Sequence, residues 1–294
     1  MFGGCSSLGI LTNEEKQSYI INNSYFTQSY EEQCQLDIFI RSSKLVKIVE
    51  TVAEDFIKNN QLSERPENNF SAIIVKLPFA YSDFLKHSLN LLHFLIEEPV
   101  QFANAVKYCV FSLVRKIIKD SSVAAENNKI TNIDIDQIHI LIRFMGLPLQ
   151  QDLCFEPYIN LYRTGLTEVI GFLSALSEPE KVVIQSVWYC ATGCTRNKIK
   201  SLSLDVPNCT NCRHPMNEYS KLRQTQNFRL LRILPAESIE SPHQLNKIFR
   251  SLTVRVLDHV FDCKLELGNR YLIIGHYNYI SQKQEFEAWN LTII

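Results

Sequence analysis

Residues 188–194 read Trp188-Tyr189-Cys190-Ala191-Thr192-Gly193-Cys194, and residues 207–212 read Pro207-Asn208-Cys209-Thr210-Asn211-Cys212. Two thiol pairs with short internal spacers are thus separated by fourteen residues. Each pair suits the tip of a tight turn. Folding would bring the pairs together around a tetrahedral Zn²⁺ at Zn–S distances of about 2.3 Å. Four cysteine ligands leave no open position, so such a metal is structural. His214 is an alternative ligand to Cys212. Four of the nine cysteines fall within 23 residues, which favours a metal site over two incidental pairs.

Working outward, Trp188 and Tyr189 end a β-branched stretch from Glu180, the strand entry expected of a zinc ribbon. A second such stretch covers Leu166–Leu173. Downstream, Leu252, Val254 and Val256 alternate with Thr253 and Arg255. Gly268-Asn269-Arg270 makes a turn into Tyr271–Gly275, and Tyr277–Ile280 with Phe286–Leu291 reads as a hairpin. Short strands with turns between them predict a small barrel. Ile138, Ile140 and Ile142 also alternate, and they are read as part of this second region.

The N-terminal part carries helical spacing. One helical stretch covers Leu36–Ile57, followed by a polar loop at Asn59–Asn69. Ser71–Leu77 is a strand candidate ended by Pro78. Phe84, Leu85, Leu89, Leu92, Leu95 and Ile96 make one apolar helical face with Ser82 as its N-cap. Pro99 suits the first turn of a further helix running to about Lys119. The polar residues 120–132 mark a boundary.

The composition narrows the function. The chain has 294 residues, 46% of them hydrophobic, with a formal charge of −1. That excludes a disordered chain and a short disulfide scaffold. Nine glycines are few, and Gly-x-x-x-x-Gly-Lys-Ser/Thr does not occur. Neither does His-Glu-x-x-His or Gly-x-Ser-x-Gly. No catalytic residue is assigned, and the chain reads as non-enzymatic. No secretory signal or membrane-length apolar run is present, so it reads as soluble and intracellular, with its cysteines as thiols or ligands. Between Cys190 and Arg232 eight basic residues face two acidic ones, a local surplus of six that the near-neutral total conceals. Arg196, Lys198, Lys200, Arg213 and Arg223 are therefore the candidate nucleic-acid contacts.

The order of these elements resembles the N-terminal half of the minichromosome maintenance (MCM) family. Three stretches carry the likeness. They are Pro99–Val106 after the preceding helix, Leu166–Cys190 leading into the cysteine pairs, and Ser251–Asp258 followed by Leu267–Gly275. The Asn269 turn and the stretch Val106–Phe111 around Cys109 bring it nearest to the family's divergent meiotic members. The resemblance implies an α+β fold: an N-terminal helical bundle over residues 1–130, then an oligonucleotide-binding (OB) barrel over 131–294. A zinc ribbon would be inserted at about 188–216.

For function, the resemblance implies a subunit that promotes crossover formation in meiotic recombination and opposes an anti-crossover helicase. Its partners would be an AAA+-like MCM half on another chain and other MCM-like subunits. DNA contact would be weak or indirect, no membrane would be involved, and the location would be the nucleus. The family's long basic hairpin is short here, with Lys283 as its base, and its Gln-Arg-x-Arg stretch reads Phe228-Arg229-Leu230-Leu231-Arg232. The competing expectation is an autonomous zinc-ribbon/OB nucleic-acid-binding factor in replication or transcription.

Overall fold

The computed structural model describes residues 30–61, 72–121, 133–149, 165–194, 196–199, 206–218, 220, 223–240, 249–257, 264–280 and 283–294. Residues 122–132 of the predicted boundary and 62–69 of the predicted loop lie outside them, whereas 59–61 are helical and not loop.

Apolar residues at helical spacing build the first layer. Helices α1 (Tyr30–Ser42) and α2 (Leu45–Gln61) replace the single predicted helix. The break falls at Ser43, whose hydroxyl accepts from the Leu45 amide at 3.3 Å. Strand β1 (Ile73–Ala80) runs through Pro78 rather than stopping there. Among the described residues it belongs to a two-stranded sheet, where each strand has one unpaired edge that tolerates the missing amide hydrogen. The predicted helix after Ser82 is two helices, α3 (Tyr81–His87) and α4 (Leu89–Glu97). Ser88, not Ser82, is the cap: its hydroxyl accepts from the Leu91 amide at 3.4 Å. Helix α5 (Pro99–Asp120) starts on Pro99 as expected. Phe39, Phe79, Phe84 and Phe102 are buried together, with Phe39 and Phe84 stacked at 5.0 Å.

Strand β2 (Ile138–Met145) corrects the sequence reading. It pairs in parallel with β1, from Ile73 opposite Ile138 to Ala80 opposite Met145. Ile138, Ile142 and Phe144 join the helical core, which therefore continues past residue 131. Alternation alone identifies a strand but not its partner.

The second layer is a closed barrel. Strands β3 (Thr167–Leu176), β4 (Glu180–Tyr189), β5 (Arg196–Ile199), β6 (Asn217–Glu218), β7 (Gln224–Pro235), β8 (Leu252–Leu257), β9 (Arg270–Ile280) and β10 (Lys283–Ile293) form one sheet. Its order β3-β9-β10-β8-β7 closes through a further β3–β7 pairing, giving the five-stranded ring of an OB-like barrel. Val169, Leu231, Ile233, Val254, Val256, Tyr271, Ile273 and Phe286 fill it. Gly275 lies where β9 crosses β10; a Cβ there would collide with the Glu287 carbonyl and meet the Phe286 ring at 2.7 Å. The β9–β10 hairpin is longer than predicted, pairing from Ile280 opposite Lys283 back to Tyr271 opposite Ile293.

Period-two alternation also joins the layers. Ile273 faces the barrel core and Ile274 the helical core. Trp289 stacks on Phe144 at 6.1 Å and meets buried His276 edge-on at 5.3 Å. The Leu166 amide donates to the Ile96 carbonyl at 2.7 Å. Among the described residues, no helix is long and apolar enough to cross a membrane.

Candidate metal centre

Strand β4 carries the chain from the barrel to the cysteines. Its first half, Glu180–Gln185, pairs with β7. After a register shift between Val183 and Gln185, its second half pairs with β5 and β6 instead. Trp188 stands opposite Asn197 and Glu218, and Tyr189 opposite Arg196 and Asn217. The cysteine pairs therefore sit at the tip of a small sheet that leaves the barrel between β3 and β7.

Each pair is a turn closed by backbone hydrogen bonds. The Gly193 amide donates to the Cys190 carbonyl at 3.0 Å, and Gly193 has φ 74, a conformation glycine adopts without strain. In the second turn the Arg213 amide donates to the Cys209 carbonyl at 2.9 Å, and the Cys209 amide to the His214 carbonyl at 2.8 Å. Arg213 takes the same left-handed conformation, φ 60, at a cost of about 1 kcal/mol for a residue with a Cβ.

These turns bring the four sulfurs together. The Sγ atoms of Cys190, Cys194, Cys209 and Cys212 all lie within 4.8 Å of one another. Cys190 Sγ and Cys212 Sγ are 3.4 Å apart, and both thiols are free. In a ZnS₄ tetrahedron with bonds of about 2.3 Å the sulfurs stand about 3.8 Å apart. The four-cysteine donor set thus fits zinc, as the spacing implied. Cys209 and Cys190 are buried, whereas Cys194 and Cys212 are half-buried. Behind them lies a very small core, Met216 with Trp188 against it.

Neighbouring groups prepare the thiols for a metal, since the thiolate is the ligand. The Thr192 hydroxyl lies 2.8 Å from Cys190 Sγ, 3.1 Å from Cys194 Sγ and 3.4 Å from Cys212 Sγ. Its hydrogen bond is the main cause of the lowered Cys190 thiol. Donated to Cys212 instead, the same hydroxyl leads in bringing that thiol down to about 7, aided by the His214 backbone. At Cys194 the same bond acts downward but is outweighed by the bond to Cys212 and by burial, and this thiol is raised. The hydrogen bond to Cys212 raises the His214 imidazole. Thr192 was not singled out from the sequence, although it stands inside the first cysteine pair.

Arg196 and Lys198 lie in β5, opposite Tyr189 and Val187, while Lys200 falls outside the described residues. Arg213 is exposed on the second turn. Arg223 makes a two-point ion pair with Glu218, its Nε donating to Glu218 Oε1 at 2.7 Å and its Nη2 to Oε2. That pair holds the Glu218 carboxyl below its ordinary value.

Sequence reasoning did not single out β7 as a strand, because Leu230-Leu231 breaks its alternation. Arg229 and Arg232, three apart, point to opposite faces of this strand. Arg232 is exposed, and Arg229 Nε is buried without a hydrogen-bond partner among the described residues. On the neighbouring strand, Arg255 lies 5.0 Å over the Phe228 ring.

No family model and no curated protein matches the chain. The crystal structure of the N-terminal domain of an archaeal MCM does match, with a TM-score of 0.59 and 12% identity over 90% of this chain and 98% of that one. The fold is MCM N-terminal-like. The helical subdomain and the closed barrel agree with this likeness.

Proposed function

We propose that this chain is a non-enzymatic, MCM-like subunit acting in meiotic recombination, akin to MCM domain-containing protein 2. The observation that carries the proposal is the coincidence of an MCM N-terminal-like fold with four sulfurs gathered at the tip of an extension from its barrel. The finer, meiotic reading is supported by the sequence resemblance around Cys109 and Asn269.

In this reading Cys190, Cys194, Cys209 and Cys212 hold one structural zinc, which stiffens the ribbon as a packing element between subunits. The chain works through partner binding rather than chemistry of its own. No phosphate loop occurs in these 294 residues, and ATP hydrolysis is assigned to an AAA+-like MCM half on another chain. The complex promotes crossovers by restraining an anti-crossover helicase in the nucleus. DNA contact by this chain is weak.

The test is affinity purification from meiotic tissue. An AAA+-like MCM protein is expected among the recovered chains, and purified protein alone is expected to bind DNA weakly. Recovery of no such protein, together with tight RNA or DNA binding by the purified chain, overturns the proposal in favour of an autonomous zinc-ribbon/OB factor.

A further inference from the structure

The metal centre has one side built of thiol and another built of hydroxyl. Thr192 Oγ1 is within 2.8, 3.1 and 3.4 Å of Cys190, Cys194 and Cys212 Sγ, so it lies over the triangular face those three sulfurs define. Thr192 is exposed, Cys194 and Cys212 are half-buried, and Cys190 and Cys209 are buried, at 5% and 1% exposure. The covered face is therefore the solvent-facing one. We propose that Thr192 is a positioning residue of the metal centre: its hydroxyl donates to the thiolates on the open face and sets how fast the metal leaves. This rests on the four-cysteine metal reading.

The chemistry follows from the hydroxyl inventory. Thr192 has one O–H, so with all four cysteines as thiolates it donates to one at a time. Cys190 Sγ, the nearest, is the main acceptor. A hydrogen bond to a metal-bound thiolate withdraws electron density from sulfur. The sulfur becomes less nucleophilic, and the hydroxyl occupies the face through which a competing ligand would reach the metal. The Thr192 methyl group adds a steric cover over the same face. The first turn holds the residue in place, since the amide of adjacent Gly193 is bonded back to Cys190. Second-shell groups of this kind typically change metal affinity by about 10- to 100-fold.

The experiment uses the full chain loaded with zinc, and the variants Thr192→Val and Thr192→Ser. Valine keeps the shape and removes the hydroxyl; serine keeps the hydroxyl and removes the methyl. Zinc transfer to a chromogenic chelator is expected to be about 10-fold faster or more in T192V and within about twofold of the parent in T192S. With Co²⁺ in place of zinc, the sulfur-to-cobalt charge-transfer band is expected to move to lower energy in T192V only. T192V that takes up no metal while T192S is fully loaded also supports the hydroxyl role. Equal release rates in the parent and T192V, at equal zinc content, overturn the role of Thr192 and leave the metal site standing. Equal impairment of T192V and T192S overturns it in favour of packing. A parent chain that takes up no zinc overturns the metal reading itself.

Discussion

Replacing Cys209 by serine is expected to melt the ribbon and leave the rest of the fold in place. Cys209 is the most buried of the four thiols, at 1% exposure. Removing one ligand of a closed tetrathiolate site removes most of the binding free energy, which for small structural zinc modules is about 10–16 kcal/mol near pH 7. Little else holds the ribbon. Among the described residues its buried core besides the cysteines is Met216, and burying one such side chain is worth about 2–3 kcal/mol. Against that, each residue fixed in the two turns costs about 1–2 kcal/mol of backbone entropy. The metal-free ribbon is therefore unfolded by a wide margin. Among the described residues, the barrel and helical cores contain no ribbon residue and lose nothing directly. Two measurements check this. Metal analysis should return about one zinc per parent chain and close to none for C209S. Hydrogen exchange should then show loss of protection at the Gly193, Arg213 and Met216 amides, which are bonded within the ribbon, with protection kept in β3 and β9. A zinc-free chain that still protects those three amides would refute the reasoning.

Three further outcomes are expected. Gly275→Ala places a Cβ against the Glu287 carbonyl, backbone that cannot swing aside, and should cost about 3 kcal/mol or more in denaturant unfolding. Ser88→Ala removes the α4 cap and should cost about 1 kcal/mol in the same assay, while Ser82→Ala should be close to neutral, the reverse of what the sequence suggested. Binding of the purified chain to single-stranded DNA, followed by fluorescence anisotropy across a salt series, should give a slope of log K against log salt no steeper than about −3.

The sequence made local chemistry legible and left pairing obscure. The four-cysteine cluster could be read because two tight thiol turns have few other uses, and the strand leading to Cys190 announced itself through Val182, Val183 and Val187. Helix α5 was legible from Pro99 and its apolar period. The helix from Phe84 was misread as one because Leu85 and Leu89 continue its apolar pattern although both are exposed, so the pattern hid the break at Ser88. Strand β2 was recognised but assigned to the wrong layer, since an alternating strand fits any sheet that buries one of its faces. Strand β7 stayed unread because Leu230 and Leu234, half-buried on the face opposite buried Leu231 and Ile233, hide the alternation that its burial follows. Thr192 went unnoticed for a different reason: its role depends on three distances, and no spacing rule encodes them.

The basic surplus of the ribbon region shows how far a linear count can mislead, and it is the basis of the shallow salt slope. Eight cations lie between Cys190 and Arg232. Arg223 is already paired with Glu218. Arg229 and Arg232 project from opposite faces of β7, and Arg229 shares its face with the fully buried Leu231 and Ile233. A single phosphate chain cannot engage both. That leaves five of the eight, Arg196, Lys198, Lys200, Arg213 and Lys221, of which Lys200 and Lys221 lie outside the described residues. A zinc ion with four thiolates carries a net charge of −2, which offsets part of that group. Four phosphate contacts predict a slope of about −3 on single strands, where all eight would give about −6. A measured slope of −5 or steeper would mean that most of these cations act together on one strand. The arrangement of β7 and the Glu218 pair would then have to change on binding.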